Sequence, residues 1–186
     1  MKRFWRGLLV TGVIVTGLFA SSATMYAAVD MFIKIGDIIG ESHDAQHAGE
    51  IDVLAWSWGQ SNGSAQIGRG NVPKACIQDL SFTKFIDSST PELIMAGLTG
   101  DIIPTAVLVV RKAGAKPLEY FRISMKNVIV SSYSTGGSGG EDRLTENVTL
   151  HFESMQGQYQ KQKPDGTADG PPITWDISTK NSAGCQ

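Results

Sequence analysis

Alternation of apolar and polar residues is the dominant pattern in this chain, and it predicts β-strands with one buried face. The clearest example is Leu144–Tyr159, in which Val148, Leu150 and Phe152 share one face. The same pattern predicts further strands at Val29–Ile35, Glu50–Trp58, Ala75–Phe82, Ala106–Lys112, Leu118–Asn127, Phe121–Ser132 and Ile173–Ile177. Short strands in this number are typical of an antiparallel barrel or sandwich.

The Glu50–Trp58 strand differs from the others because both of its faces are apolar. One face carries Ile51, Val53 and Ala55, and the other carries Leu54, Trp56 and Trp58. We expect the core to cover one face and a helix or a second subunit to cover the other. The two tryptophans could stack a ligand, but packing in the core or in an interface is the favoured interpretation.

One helix is predicted, at Ser89–Gly97, where Ser89 and Glu92 have the spacing of a capping box. Its end is expected at Gly97 or Gly100. A helix of about nine residues is not stable alone in water, so it must pack on the sheet. The predicted fold class is therefore mainly β: a compact antiparallel β-barrel, or two-sheet barrel, with one short helix on its side.

Two glycine-rich segments separate strands and are candidates for functional loops. Gln60–Pro73 is a long insertion between two strands, and loops of this length inside a compact domain are usually functional or disordered. Ser134–Asp142 carries four glycines around Ser138 and is expected to be a flexible joint, because glycine adopts positive φ at little steric cost.

The amino-terminal segment differs in composition from the rest of the chain. Lys2, Arg3 and Arg6 precede the apolar run Leu8–Ala20, and small residues follow at positions 21–23. This arrangement is typical of a secretory signal peptide. A transmembrane anchor is the less favoured alternative, because glycine, serine and threonine dilute the run. A third alternative is a dispensable extension, with Met25 as the natural start of the domain.

The expected domain organisation has three parts: an amino-terminal segment at 1–27, a β-barrel domain at 28–180 and a carboxy-terminal tail at 181–186. The chain of 186 residues carries a formal net charge of −2, so no basic surface for nucleic acid is expected. Cys76 and Cys185 are too few for a metal site or a disulfide framework, and bonded and free cysteines both remain open.

No pattern in the sequence predicts a catalytic residue, a cofactor site or a metal site. Ser138 lies in a literal G-x-S-x-G match, but that motif needs a strand before it and a helix after it, and here a strand follows. His43 and His47 are four residues apart without helical periodicity around them, so we expect a solvated loop rather than a zinc site. Glu141–Asp142 beside Arg143 is interpreted as a salt bridge on a loop.

Five stretches of the chain together resemble one known family. In order between Ala28 and Ile177 they read VDMFIKIGDIIGES, HAGEIDVLAWSWG, IQDLSFTKFID, STPELIMA and VIVSSYSTGGSGGEDRLTENVTLHF. These five stretches are similar in sequence to the Hcp proteins, the tube subunits of type VI secretion. The resemblance implies a compact β-barrel with a helix on its side. It also implies rings of six copies that stack into a hollow tube, which a contractile sheath pushes out of the cell.

The same resemblance implies partners and contact residues. The partners would be further copies of the chain, the sheath, a trimeric spike protein and small effectors in the lumen, without nucleic acid and without stable membrane insertion. By resemblance, the Gln60–Pro73 loop would make the contacts between rings, and the Ser134–Asp142 loop is a second candidate for them. The residues implied in these contacts are Gln60, Ser61, Asn62, Gln66, Arg69, Glu141, Asp142 and Arg143.

Three hypotheses for function remain open at this stage. The favoured one is a structural tube subunit, secreted from the cytoplasm by the type VI apparatus. The second is a separately exported ring or binding protein that acts outside the apparatus and is periplasmic after cleavage of a signal peptide. The third, least favoured, is an enzyme that uses Ser138 with His151 and a carboxylate.

Overall fold

The structure, a computed structural model, describes residues 28–61, 75–113, 117–140 and 142–178. These ranges contain ten strands and one helix. The elements are β1 (Val29–Ile35), β2 (Ile51–Asp52), β3 (Ala55–Ser57), β4 (Gln60–Ser61), β5 (Cys76–Ile77), β6 (Leu80–Phe85), α1 (Thr90–Thr99), β7 (Ile103–Lys112), β8 (Leu118–Gly136), β9 (Thr145–Tyr159) and β10 (Ile173–Ser178).

Eight of the strands form one antiparallel sheet, in the order β2-β1-β7-β8-β9-β6-β3, with β10 also paired to β9. The long hairpin of β8 and β9 is its centre. One edge of β9 pairs with β8 along its length, whereas the other edge pairs first with β6 and then with β10. β4 and β5 form a separate two-stranded sheet.

The segment of residues 51–57 joins the two ends of this curled sheet. β2 pairs with β1, and β3 pairs with β6 at the opposite end of the strand order. Between them, Val53 donates its backbone N–H to the Met31 carbonyl over 2.9 Å, and Leu54 donates to the Thr83 carbonyl over 2.8 Å. The sheet is thereby wrapped around a core, so the predicted mainly-β fold with one short helix is confirmed.

Strand alternation places the core where the sequence predicts it. Val148, Leu150 and Phe152 of β9 are all buried and face the buried side chains of β6 and β8. The helix closes one side of the core with Leu93 and Ala96. Burial of such side chains contributes about 1.5–3 kcal/mol each.

The predicted Glu50–Trp58 strand is wrong as a single element, because the chain changes partner from β1 to β6 in its middle. This change turns Ala55 outward and leaves Leu54 41% exposed, although both were expected to lie on covered faces. Trp56 stacks on Phe121 with ring centres 5.4 Å apart, and Trp58 packs against the core. The packing interpretation of the two tryptophans is therefore confirmed.

The helix begins one residue after its N-cap Ser89, as predicted, but the capping box does not form. The Ser89 hydroxyl donates to Asp87 Oδ1 over 2.5 Å and makes no hydrogen bond to the helix amides. The helix extends past Gly97 and ends at Gly100, whose φ of +71° is the left-handed conformation that glycine adopts without strain.

The predicted flexible joint at Ser134–Asp142 is partly strand. β8 continues to Gly136, and Ser134, Thr135 and Gly136 pair with β9 at positions 147, 146 and 145. The connection between the two strands is therefore shorter than the sequence indicates. We call residues 137–144 the hairpin tip.

Three further features complete the description. Cys76 is half-buried and disulfide-bonded, and the second cysteine of the sequence, Cys185, lies outside the described residues. A turn lies at residues 164–166, with Gly166 at φ +83°. In the part of the chain that the structure describes, no helix is both long and apolar enough to cross a membrane.

Candidate functional site

The β4–β5 ribbon carries the described part of the first predicted contact region. Gln60 pairs with Ile77 and Ser61 pairs with Cys76, and the Gln78 N–H donates to the Gly59 carbonyl over 3.0 Å at the base. Gln60 and Ser61 are both exposed, as a contact surface requires. Three other predicted contact residues, Asn62, Gln66 and Arg69, lie outside the described residues.

The hairpin tip carries the second predicted contact region. Asp142 is exposed, and Glu141 lies outside the described residues. Among the residues that the structure describes, Arg143 forms no ion pair, and its guanidinium carbon instead lies 4.1 Å from the centre of the Phe85 ring. This is a cation–π contact, and the salt bridge predicted around Glu141 stays a prediction because Glu141 lies outside the described residues.

The two regions lie at opposite ends of β6. β5 leads directly into Leu80, which pairs with Leu150, whereas Phe85 at the other end pairs with Thr145 beside the tip. The Ile86 N–H also donates to the Leu144 carbonyl over 3.0 Å. With a rise of about 3.4 Å per residue, the base of the ribbon and the tip are separated by roughly 17 Å along the strand.

A buried ionic network lies next to the base of the tip and joins β6, β9 and the helix. Lys84 Nζ is fully buried and lies 2.7 Å from both Glu146 Oε1 and Asp87 Oδ1. The Thr90 hydroxyl, in the first turn of α1, donates to Glu146 over 3.0 Å. The network joins β6, β9 and α1, which are far apart in the sequence.

Tyr133 of β8 extends the same network to a fourth element. Its hydroxyl donates to Glu146 Oε2 over 2.7 Å. Burial first, and then the hydrogen bond to Glu146 and its negative charge, raise the pKa of Tyr133 to about 12. The tyrosine is therefore neutral and a hydrogen-bond donor throughout the physiological range.

Sequence reasoning missed this network, although alternation carries a signal for it. In β6, Lys84 lies on the same strand face as Leu80 and Phe82. In β9, Glu146 lies on the same face as Val148. A charged residue on each of two neighbouring core faces indicates a buried pair, because an isolated buried charge is too costly.

A second cluster of charges holds the loop of residues 36–50 against the barrel. Arg111 of β7 donates to Asp44 Oδ2 over 2.6 Å, to Asp44 Oδ1 over 2.9 Å and to Asp30 Oδ2 over 2.9 Å. Hydrogen bonds from Arg111 and from the Gln46 amide hold the pKa of Asp44 well below its ordinary value. The Asp44 hydrogen bond raises the pKa of Arg111 above its ordinary value.

The two histidines of this loop have different environments, which corrects the expected solvated loop. His43 is exposed, but His47 is only 5% exposed and stacks on Phe32 with ring centres 4.3 Å apart. Among the described residues there is no group of three side chains with metal-binding geometry. Burial of His47 depends on how the loop folds back, which sequence spacing does not reveal.

The residues of the hypothetical Ser138 enzyme are not brought together. His151 Nδ1 lies 2.8 Å from Asp79 Oδ1, and the Ser131 hydroxyl donates to the other oxygen of Asp79 over 2.7 Å. His151 pairs with Ile129 in the middle of the hairpin, whereas Ser138 lies in its tip. Six residues of strand separate His151 from the start of β9, which is about 20 Å.

Comparisons with known proteins agree with this architecture. The family described as "Type VI secretion system effector, Hcp" matches residues 32–159. "Protein hcp1" of Pseudomonas aeruginosa strain PAO1 is 60% identical over 155 residues, which is 81% of this chain and 96% of that protein.

Solved structures give the same result. The crystal structure of Hcp1 from Salmonella typhimurium is 35% identical, with a TM-score of 0.68, over 83% of this chain and 97% of that one. A type VI secretion system effector from Yersinia pestis is 36% identical, with a TM-score of 0.66, over 80% of this chain and 99% of that one. The sequence match, the fold and the extent of coverage lead to one conclusion: the chain belongs to the Hcp family of type VI secretion system proteins.

Proposed function

We propose that this protein is a structural subunit of the type VI secretion tube, in which rings of six copies stack into a hollow cylinder. Membership of the Hcp family supports the secretion system, which exports this class of protein. The observation that carries the assembly step is the placement of two exposed elements, the β4–β5 ribbon and the hairpin tip, at opposite ends of β6.

This placement suits head-to-tail stacking. Identical rings that stack along an axis need two different surfaces, one on each end of the subunit. The exposed Gln60 and Ser61 of the ribbon would meet the exposed Asp142 of the copy in the next ring. The buried Lys84–Glu146 network would hold the tip in place to receive this contact.

Contacts within a ring need a further surface on the side of the barrel. Met95, Leu98 and Ile102, along and just beyond the outer face of α1, are 56%, 77% and 70% exposed. Clustered exposed apolar side chains usually mark an interaction surface. We propose that this face of the subunit packs against its neighbour in the ring.

In this proposal the protein acts by assembly rather than by catalysis. Its partners would be further copies of itself, the contractile sheath, a trimeric spike protein and small effectors in the lumen. The protein would leave the cytoplasm through the apparatus and act outside the cell.

A second candidate function is a separately exported Hcp-like ring that acts outside the apparatus. Two observations favour it: the signal-like composition of residues 1–27 and the disulfide-bonded state of Cys76. Disulfides form and persist in oxidising compartments such as the periplasm and are rare in the cytoplasm.

Intact mass of the native protein in cytoplasm, periplasm and medium separates the two candidates. The tube proposal expects a chain that starts at Met25 in cytoplasm and medium, and its loss from the medium when the sheath is disabled. A chain that starts at Thr24 or at a residue from Tyr26 to Val29, enriched in the periplasm whether or not the sheath works, would overturn it in favour of the exported ring. Light scattering on the same material would test for six copies.

A further inference from the structure

The β4–β5 ribbon contains a disulfide-bonded cysteine. Cys76 of β5 is half-buried and bonded, and the described part of the chain holds no free cysteine. The whole sequence contains two cysteines, Cys76 and Cys185. Within one chain, Cys185 is therefore the residue that can supply the second sulfur atom.

The strand register brings the end of β10 close to the base of the ribbon. β6 and β10 pair with the same edge of β9, and both run antiparallel to it. Ser178, the last residue of β10, pairs with Ser154. Just ahead of β6, Asp79 lies beside His151, with its Oδ1 2.8 Å from the ring Nδ1. His151 and Ser154 are three residues apart in β9, which is about 10 Å.

The chain after β10 is long enough to reach Cys76. Cys76 precedes Asp79 by three residues, which adds at most about 11 Å, so the path from Ser178 is about 21 Å at most. Cys185 follows Ser178 by seven residues, and seven extended residues span about 23–25 Å. The end of β10 and the segment ahead of β6 also point toward each other along β9, because both strands are antiparallel to it.

The ribbon is an element whose position a cross-link would fix. β4 and β5 form a separate sheet, in which Gln60 pairs with Ile77 and Ser61 pairs with Cys76. Ile77 packs against the core, whereas Gln60 and Ser61 are exposed. A two-stranded hairpin by itself is only marginally stable in water, so the hydrogen bonds between β4 and β5 hold the exposed strand weakly.

We infer that a disulfide between Cys76 and Cys185 of one chain ties the carboxy-terminal segment 179–186 to the ribbon and holds the ribbon in place. A cross-link to a second segment restricts the conformations that an open ribbon can adopt, so opening becomes less favourable. Only the bearing of this bond on stacking rests on the proposed function: a tethered ribbon would present Gln60 and Ser61 to the next ring in one fixed position.

Formation of this bond is an oxidation of two thiols by thiol–disulfide exchange. One cysteine thiolate attacks the disulfide of an external oxidant, and the second thiolate then displaces the oxidant from the mixed disulfide. The chain loses two protons and two electrons, and the oxidant leaves as a dithiol. The bond therefore forms in an oxidising compartment, whereas in the cytoplasm the two thiols stay reduced and do not tether the ribbon.

Peptide mapping of the full-length protein, purified and digested without reductant, identifies the bond. Trypsin cleaves after Lys74, Lys84 and Lys180, so the two cysteines fall in peptides 75–84 and 181–186. We expect these peptides to be joined to each other and to separate on reduction. Isotope-labelled and unlabelled chains, reduced, mixed and reoxidised together, should give joined peptides that carry one label only, because both cysteines belong to the same chain.

Hydrogen exchange then tests whether the bond holds the ribbon. The Gln78 amide lies at the base of the ribbon and the Ile86 amide lies beside the hairpin tip, and both donate backbone hydrogen bonds. In Cys185→Ser, exchange at Gln78 should be at least about tenfold faster than in the oxidised wild type, and exchange at Ile86 should change by less than about twofold. Wild-type protein kept reduced should behave like this variant. Ser182→Ala is the matched control and should exchange like the oxidised wild type.

Three results would overturn the inference. The first is a free Cys76 thiol in the oxidised protein. The second is joined peptides of mixed label, which would place the bond between two copies. The third is unchanged exchange at Gln78 in Cys185→Ser and in the reduced wild type, which would show that the bond does not hold the ribbon. None of these measurements depends on stacking, so their failure and a failure of the tube proposal are distinguishable.

Discussion

At the scale of single residues, Gly157 shows how one missing side chain positions an aromatic ring. Gly157 of β9 is directly paired with Trp175 of β10, and a Cβ at this position would overlap the indole ring. The indole in turn contacts Phe121, with ring centres 5.8 Å apart. The short strand β10 is therefore held to the barrel by a ring that needs a glycine beneath it.

Gly157→Ala is expected to lower the free energy of unfolding by about 1–3 kcal/mol, because the added methyl group must displace Trp175. Chemical denaturation followed by tryptophan fluorescence measures the change. Gly139→Ala in the hairpin tip is the matched control, since no atom lies within 4 Å of the position that its new methyl group would take. The free energy of unfolding should be lower for Gly157→Ala than for Gly139→Ala. Equal free energies of unfolding would contradict the proposed role of Gly157.

Asp44 determines part of the response to acid. Because the pKa of its carboxyl is held well below the ordinary value of 3.8, the ionised form stabilises the fold above that pH. This contribution is lost as the pH falls below about 4, toward the lowered pKa of the folded state. Asp44→Asn should therefore be less stable than the wild type at pH 7, and the difference should shrink as the pH falls to 3.

Urea unfolding at several values between pH 3 and pH 7 measures this difference. Glu92→Gln, which removes an exposed carboxylate from α1, should stay within about 0.5 kcal/mol of the wild type throughout. A difference between Asp44→Asn and the wild type that does not vary with pH would show that the carboxylate charge has no part in holding the loop.

At the scale of elements, the Lys84 network connects β8 and β9 with α1 and β6. Replacing Lys84 by Met leaves the buried Glu146 and Asp87 without their cation, which is expected to cost about 3–5 kcal/mol. The double variant Lys84→Met/Glu146→Leu should recover much of this loss, because the uncompensated carboxylate of Glu146 is removed as well. Urea denaturation of the wild type and both variants tests this.

The comparison of single and double variants separates the pair from ordinary packing. If the double variant is less stable than Lys84→Met alone, the loss comes from packing and not from an unpaired charge. A cost below about 1 kcal/mol for Lys84→Met would mean that water reaches the site, as at an exposed ion pair.

At the scale of the whole molecule, the two ends of the subunit should have separable effects on assembly. Two variants place a bulky positive charge on these ends: Ser61→Arg on the ribbon and Asp142→Arg on the tip. Each is expected to shorten or abolish stacks of rings. The mass of a single ring should stay unchanged. Negative-stain electron microscopy gives the stack length, and light scattering gives the ring mass.

Lys126→Glu is the control for this experiment, because Lys126 is exposed in the middle of β8, where it pairs with Thr105 and Ser154, far from the ribbon and the tip. It should leave stack length unchanged. Equal stacking in all three variants would contradict the head-to-tail arrangement, and loss of the ring itself in Ser61→Arg would assign the ribbon to contacts within a ring.

The sequence by itself determined most of the strands and the side of each that is buried. Alternation is a local property, and Val148, Leu150 and Phe152 are buried because their neighbours in β9 point to the opposite face. The start of the helix at Ser89 and the absence of a catalytic pattern could also be read from local sequence. The resemblance to the Hcp family rested on five sequence stretches, which can also be recognised without a structure.

The tertiary structure decided what depends on partners that are distant along the chain. Residues 51–57 split into two strands because they bridge β1 and β6, and β8 extends to Gly136 because β9 pairs with it. The meeting of Lys84 with Glu146, and of His47 with Glu119, joins positions 62 and 72 residues apart. Local propensity contains no information on such contacts, because they form only when strand pairing and loop docking bring the elements together.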